Sequence, residues 1–276
     1  MNLLKQIKQN WKNLIFILLP IIVCILVYFT PKSFQEMFVL NLNNLNSWSW
    51  FTYIFLHQTL THIFMNLLIF TLAIISAYYL TPKEDRKTFV WIFYLSIVLI
   101  PLITLVLLIY LRNIGLFPIN LINSRGFSGI SAGALGILGY TISKDIYLSS
   151  KSKKSVSRLL NAVYYISLPC LAVMVINLNY ILSIIIVVIW LLMVASWIAP
   201  NLIHARKKKI KLKGKPLDVK HLIIPMTILL IGCLLMIPKN LVANGSAVNT
   251  PAHLFGFVIG YGLSFVVNLI FTKRPQ

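Results

Sequence analysis

Acidic residues are scarce in this sequence, and their scarcity excludes several kinds of membrane chemistry. Only 5 of the 276 residues are Asp or Glu, against 25 Lys and Arg, and none of the five lies deep in an apolar segment. Ion-coupled transport and aspartyl proteolysis within a membrane both depend on intramembrane carboxylates. The motifs HExxH and GxxxxGK[ST], which serve zinc and phosphate chemistry, are also absent from the sequence.

Cysteine is equally sparse. The three cysteines, Cys24, Cys170 and Cys233, lie far apart inside apolar runs, and no CxxC pair occurs. This pattern supports neither a disulfide framework nor a structural zinc site. We therefore expect three buried thiols, with no metal and no other cofactor.

Apolar residues, by contrast, make up 59% of the chain, and only 11% of its residues are charged. A soluble domain is roughly 45–50% apolar and about 25% charged, so the composition predicts an all-α polytopic membrane protein. A membrane-spanning helix needs about 20 mostly apolar residues. Eight segments qualify as predicted spans: 13–30, 59–80, 89–111, 127–148, 159–178, 180–200, 221–238 and 251–271.

The distribution of basic residues predicts the orientation of these spans. With a cytoplasmic N-terminus, the segments on the inner side contain 21 of the 25 Lys and Arg residues. Cytoplasmic loops carry such an excess, so both termini are predicted to be cytoplasmic, in a multi-pass protein of the cell membrane. The net charge of +20 then needs no nucleic-acid partner. We expect one membrane domain over 1–276, with a cytoplasmic tail 1–12, an outer first loop 31–57 and a basic cytoplasmic loop 201–220.

A few polar residues share one predicted depth. His62 and Asn66 are four residues apart in the second span, Ser128 begins the fourth span, and His253 begins the eighth. These three spans all run from outside to inside, so the four side chains are predicted to lie near the outer surface. An imidazole activates a hydroxyl as a nucleophile, and preorganised donors stabilise the oxyanion that attack on a carbonyl creates. With no carboxylate nearby, the chemistry would be that of a Ser–His dyad.

Small residues predict that the fourth and eighth spans pack closely. Such residues recur at a spacing of four in both spans and allow helix backbones to approach each other in a bilayer. They are Ser128, Gly129, Ala132, Gly133 and Gly136 in the fourth span, and Gly256 and Gly260 in the eighth. The expected contact brings Ser128 toward His253.

Three motifs together resemble the rhomboid intramembrane serine proteases. They are His57-xxxx-His62-xxx-Asn66, Gly126-Phe-Ser128-Gly129, and Ala252-His253-xx-Gly256-xxx-Gly260. The resemblance implies a six-helix core, here with two additional spans, and an active site that opens to the extracytoplasmic side. It also implies that the substrates are transmembrane segments of other proteins in the lipid bilayer.

The resemblance assigns a role to each matching position. Ser128 would be the nucleophile, His253 the general base, and His62, Asn66 and the backbone at Gly126 the oxyanion site. Supporting positions would be His57, Gly129, Gly256 and Gly260.

The sequence also departs from the family pattern. Ala132 stands where many members have a Tyr that stacks on the catalytic histidine, and Trp48-Ser49-Trp50 replaces a common Trp-Arg pair. Three predicted spans separate Ser128 from His253, where the family core has one. Two alternatives therefore stay open: a rhomboid-like binding or quality-control protein without catalysis, and a small transporter.

Overall fold

A computed structural model describes residues 3–43, 48–114, 123–149, 220–236, 242–243, 246–247 and 250–271. The described part is mostly helical. Its helices are α1 (Leu3–Tyr28), α2 (Lys32–Glu36), α3 (Ser49–Thr52), α4 (Leu60–Leu80), α5 (Arg86–Asn113), α6 (Ser128–Ser149), α7 (Lys220–Leu235) and α8 (Thr250–Phe271). Short 3₁₀ turns occupy Tyr53–Phe55 and Lys83–Asp85. Two small antiparallel pairs join β1 (Leu40–Asn41) to β2 (Asn123–Ser124) and β3 (Val242–Ala243) to β4 (Ser246–Ala247).

Three of the described helical segments are long and apolar enough to cross a membrane: Leu60–Leu80, Lys83–Tyr110 and Ala252–Phe271. The apolar helical segments Ile15–Tyr28 and Ile223–Leu235 are shorter. All five fall within predicted spans or overlap them. The predicted spans 159–178 and 180–200, like the basic loop 201–220 up to residue 219, lie outside the described residues.

Helix α6 is the centre of the described bundle. Every residue from Ile130 to Ser143 is buried, and α4, α5, α7 and α8 all pack against this helix. Because α6 meets protein rather than lipid on all sides, it does not need an apolar outer face. This position explains why it is the least hydrophobic of the predicted spans.

Large apolar side chains cover the outward faces of the surrounding helices. Phe64 on α4, Trp91 and Val106 on α5 and Leu269 on α8 are each about 60% exposed or more. A soluble protein rarely leaves so many large apolar groups exposed on neighbouring helices. These faces are consistent with a membrane protein whose helices contact lipid.

The contact between α6 and α8 brings two backbones together. A Cβ atom on Gly256 would overlap the carbonyl oxygen of Gly129, and one on Gly260 would overlap that of Gly133. One turn further along α6, a Cβ on Gly136 would overlap the carbonyl oxygen of Phe257. The close approach expected from the small residues is therefore present, and only glycine fits at these positions.

Adding a single methyl group at this contact should force α6 and α8 apart. Because the Cβ of Gly256→Ala has no room beside the Gly129 carbonyl, we expect this variant to lose about 1–3 kcal/mol of stability, the usual cost of overpacking. Gly262→Ala on the same helix is the matched control, since nothing lies within 4 Å of a Cβ there. Thermal unfolding in detergent measures both; equal midpoints for the two variants would contradict the packing described here.

Candidate active site

The segment before Ser128 is held against residues of the segment 31–57. Strand β2 pairs with β1, so that Leu40 lies opposite Ser124. Arg125 forms an ion pair with Glu36 at 3.0 Å, and the Gly126 amide donates to the Tyr53 carbonyl at 3.0 Å. These contacts fix the path of the chain immediately before α6 begins.

Gly126 adopts a backbone conformation that side chains rarely accept. Its φ is +127°, which favours glycine because other residues are strained there. A Cβ on Gly126 would lie 3.3 Å from His62 Cε1 and 3.9 Å from Ser128 Oγ. Gly126 therefore leaves open a space that the His62 imidazole and the Ser128 hydroxyl border.

Ser128 is the first residue of α6, and its side chain is buried. The first amides of a helix have no partner within the helix. Two amides just before Ser128 are already used, since Gly126 donates to Tyr53 and Phe127 donates to His57. As the first residue of α6, Ser128 thus presents an N–H that the helix itself does not use.

His57 joins three parts of the site. Its Nε2 accepts from the Asn66 amide and from the Phe127 backbone N–H, both at 3.3 Å. Because Nε2 accepts, the ring carries its hydrogen on Nδ1, which donates to the Phe55 carbonyl at 3.4 Å. Burial, with a smaller contribution from the neighbouring His62 imidazole, lowers the pKa of His57 to about 3. His57 is therefore a neutral structural link, and it holds Asn66 against the start of α6.

His62 is positioned by the beginning of α4. The Thr59 side chain caps this helix by accepting from the His62 backbone N–H at 3.2 Å. The His62 ring then meets the His57 ring edge to face, with centroids 5.3 Å apart. The cap and this ring contact hold the His62 imidazole beside Gly126, where its Nε2 is 3.7 Å from the position of a Cβ.

His253 lies in the first turn of α8 and is held by a main-chain oxygen. Its Nδ1 is 2.8 Å from the Met236 carbonyl, which follows the end of α7. A carbonyl only accepts, so Nδ1 carries the hydrogen and Nε2 keeps a free lone pair. His253 and His62 are close enough to interact electrostatically. Ala132 is buried and offers no ring to stack on His253, so the Met236 carbonyl orients this imidazole instead.

The structure brings the predicted residues into one layer without completing the dyad. The backbones beside Ser128 and His253 are in contact, because a Cβ on Gly129 would lie 3.4 Å from the Ala252 carbonyl oxygen. Within the described residues, however, no hydrogen bond joins Ser128 Oγ to His253 Nε2. Neither do these residues contain three His, Cys, Asp or Glu side chains grouped to hold a metal ion.

Several residues of this region carry no signal in the sequence. Tyr53 and Met236 act through their carbonyl groups, which every residue possesses. Ser131 ties α6 to α4 by donating its hydroxyl to the Asn66 carbonyl at 2.9 Å. The Arg125–Glu36 pair joins residues 89 positions apart. One sign of that pair is present in the sequence: Glu36 and Arg125 are an acid and a base in two predicted outer segments.

No family model, curated protein or solved structure matches this chain.

The buried His57 predicts a dependence of stability on pH. The folded state keeps this imidazole neutral down to about pH 3, whereas the unfolded chain takes up a proton near pH 6.5. The unfolded state therefore binds more protons between these values, and stability should fall as the pH drops from 6.5 toward 3.

Comparison with His57→Gln isolates this contribution, because His62 and His253 titrate in both proteins. Unfolding midpoints measured across this pH range in detergent should decline more steeply for the wild type than for His57→Gln. Parallel pH profiles for the two proteins would show that His57 is not held neutral.

Proposed function

We propose that this chain is an intramembrane serine protease of the rhomboid type. The observation that carries the proposal is the juxtaposition of Ser128, His62 and Gly126 around one open space, next to a His253 ring with a free Nε2. A nucleophile, a base and oxyanion donors are the groups that acyl transfer requires. Ser128, His253 and His62 all lie at the beginning of a helix, and the resemblance assigns these roles to them.

The proposed reaction begins when Ser128 Oγ attacks the carbonyl carbon of a substrate peptide bond and its proton passes to His253 Nε2. The resulting oxyanion accepts hydrogen bonds from the Ser128 amide and the His62 side chain, with Asn66 in support. Collapse of the tetrahedral intermediate breaks the C–N bond, and His253 returns the proton to the leaving amine. Water then attacks the Ser128 ester and gives a proton to His253. The new carboxylic acid leaves, and His253 returns the proton to Ser128 Oγ.

The substrates proposed are single transmembrane segments of other proteins. Backbone within a bilayer is hydrogen-bonded inside its own helix, so cleavage needs a segment that unwinds locally and contains small or helix-breaking residues. In the proposed topology of eight spans with cytoplasmic termini, the site opens to the extracytoplasmic side. The concentration of basic residues in the inner segments supports that orientation.

A second candidate function is a rhomboid-like binding or quality-control factor without catalysis. The unmade Ser128–His253 hydrogen bond and the buried Ala132 favour it. In active enzymes such bonds are often long before substrate arrives and tighten in the complex, so we place the protease first. The two functions differ in one measurable outcome, namely whether the substrate is cut.

Cleavage of a model transmembrane substrate in proteoliposomes tests the proposal. Ser128→Ala should abolish cleavage, because no other group supplies the nucleophile. Ser143→Ala is the matched control: this buried serine is on the same helix, fifteen residues beyond Ser128, and its hydroxyl donates to the Gly139 carbonyl within α6 at 2.8 Å. Cleavage that persists in Ser128→Ala would refute the assignment of the nucleophile.

His62→Ala should lower kcat by about 10²–10³, the usual effect of losing one oxyanion donor. KM should change little, because the lost interaction forms only in the transition state. If the wild type, Ser128→Ala and His62→Ala all bind the substrate and none of them cuts it, the protein is instead the binding factor.

A further inference from the structure

A second polar cluster lies at the opposite end of α4 from the candidate active site. Tyr78, Tyr79 and Arg86 each bury a polar atom, the two phenolic oxygens and the guanidinium Nε, that has no hydrogen-bond partner. Tyr78 is completely buried. Tyr78 is sixteen residues beyond His62, and at 1.5 Å per residue this places the cluster about 24 Å away along the helix.

The three side chains form one group. The Arg86 guanidinium carbon lies 4.7 Å from the centre of the Tyr78 ring, in a cation–π contact. The rings of Tyr78 and Tyr79 are 5.9 Å apart, and the Tyr79 phenol is close enough to Arg86 to interact with its charge. Phe16 and Phe89 border Tyr78 at centroid distances of 6.4 and 5.7 Å. These apolar rings offer no acceptor to the cluster.

Neither ion pair between described residues involves Arg86. Its chain neighbour Asp85 pairs with Lys144 at 2.9 Å, and that lysine also donates to Asn268 at 2.6 Å. The ion pairs between described residues are those of Lys144 with Asp85 and of Arg125 with Glu36. A partly buried guanidinium is therefore left beside two phenol groups whose hydrogens have no acceptor.

Leaving buried donors unsatisfied costs free energy, so such a cluster calls for a partner other than the residues that the structure describes. All three groups can donate and one is cationic, so the partner must be an acceptor and is best an anion. The cluster lies where α4 ends and α5 begins, at the depth where a spanning helix meets the lipid headgroups. The anion present there is phosphate, and arginine binds phosphate oxygens through a fork of N–H donors.

We propose that Tyr78, Tyr79 and Arg86 form a binding site for a phosphate group, and that its source is the headgroup of a phospholipid. The guanidinium and the Tyr79 phenol bind the phosphate oxygens, and the buried Tyr78 ring supports the guanidinium through the cation–π contact. A lipid bound here would tie α4 to α5 and anchor the end of the bundle that is remote from Ser128. The proposal does not depend on the proposed protease activity, because it concerns binding at a separate site.

The test measures lipid binding by the full-length protein in detergent. Native mass spectrometry counts bound phosphatidylglycerol, and the rise in unfolding temperature with added lipid gives the affinity. Arg86→Gln should weaken binding by about tenfold or more, and Tyr79→Phe, which keeps the ring and removes only the hydroxyl, by several-fold. Lys87→Gln and Tyr94→Phe are the matched controls and should bind like the wild type.

Inorganic phosphate in place of lipid distinguishes the two possible sources of the group. Stabilisation by the lipid but not by millimolar phosphate supports a headgroup site. Equal Arg86-dependent stabilisation by both would overturn the lipid assignment in favour of free phosphate.

Equal lipid binding by Arg86→Gln and Lys87→Gln would overturn the site altogether. If Arg86→Gln fails to fold, undiminished lipid binding by Tyr79→Phe would overturn the site as well. Ser128→Ala should bind lipid normally, so this result is independent of catalysis.

Discussion

The close backbone contact between α6 and α8 is the constraint on which the candidate site depends. The carbonyl groups of Gly129 and Gly133 occupy the space that side chains would need at Gly256 and Gly260. In a bilayer, helices gain little from burying apolar groups against each other, and close van der Waals contact takes the place of that driving force. The same contact sets the register of the two helices, so that His253 enters the layer of Ser128. Without this contact, Ser128 and His253 would lie at the ends of two helices that do not meet.

Contacts from the segment 31–57 supply the second constraint. Ordinary helix starts fray, yet the segment before Ser128 is held by a strand pair, an ion pair and two amide hydrogen bonds. His57 is the central member of this arrangement, since it binds Asn66 and Phe127 at once. Its neutral ring suits a site in which His62 is partly buried close by, because two protonated imidazoles with ring centroids 5.3 Å apart would repel each other. These contacts therefore use the amides of Gly126 and Phe127, which immediately precede α6.

Much of the helical pattern was predictable, because long apolar runs bounded by polar residues specify spanning helices. The predicted span 59–80 differs by one residue from Leu60–Leu80. The span 13–30 begins ten residues later than helix α1, since polar residues extend that helix beyond its apolar part. The layer of Ser128 and histidines followed from the shared direction of three spans. The carbonyls of Met236 and Tyr53 were unpredictable, because a main-chain acceptor depends on the path of the backbone and leaves no mark on residue type.

Labelling with a fluorophosphonate probe tests the central claim most directly, because the probe bonds only to a serine whose hydroxyl a base has activated. We expect the wild type in detergent to be labelled at Ser128, with loss of fluoride from the probe, and Ser128→Ala to remain unlabelled. His253→Ala should also lose the label, since the Nε2 lone pair accepts the proton. An unlabelled wild type, or a label that survives in Ser128→Ala, would contradict the Ser128–His253 dyad.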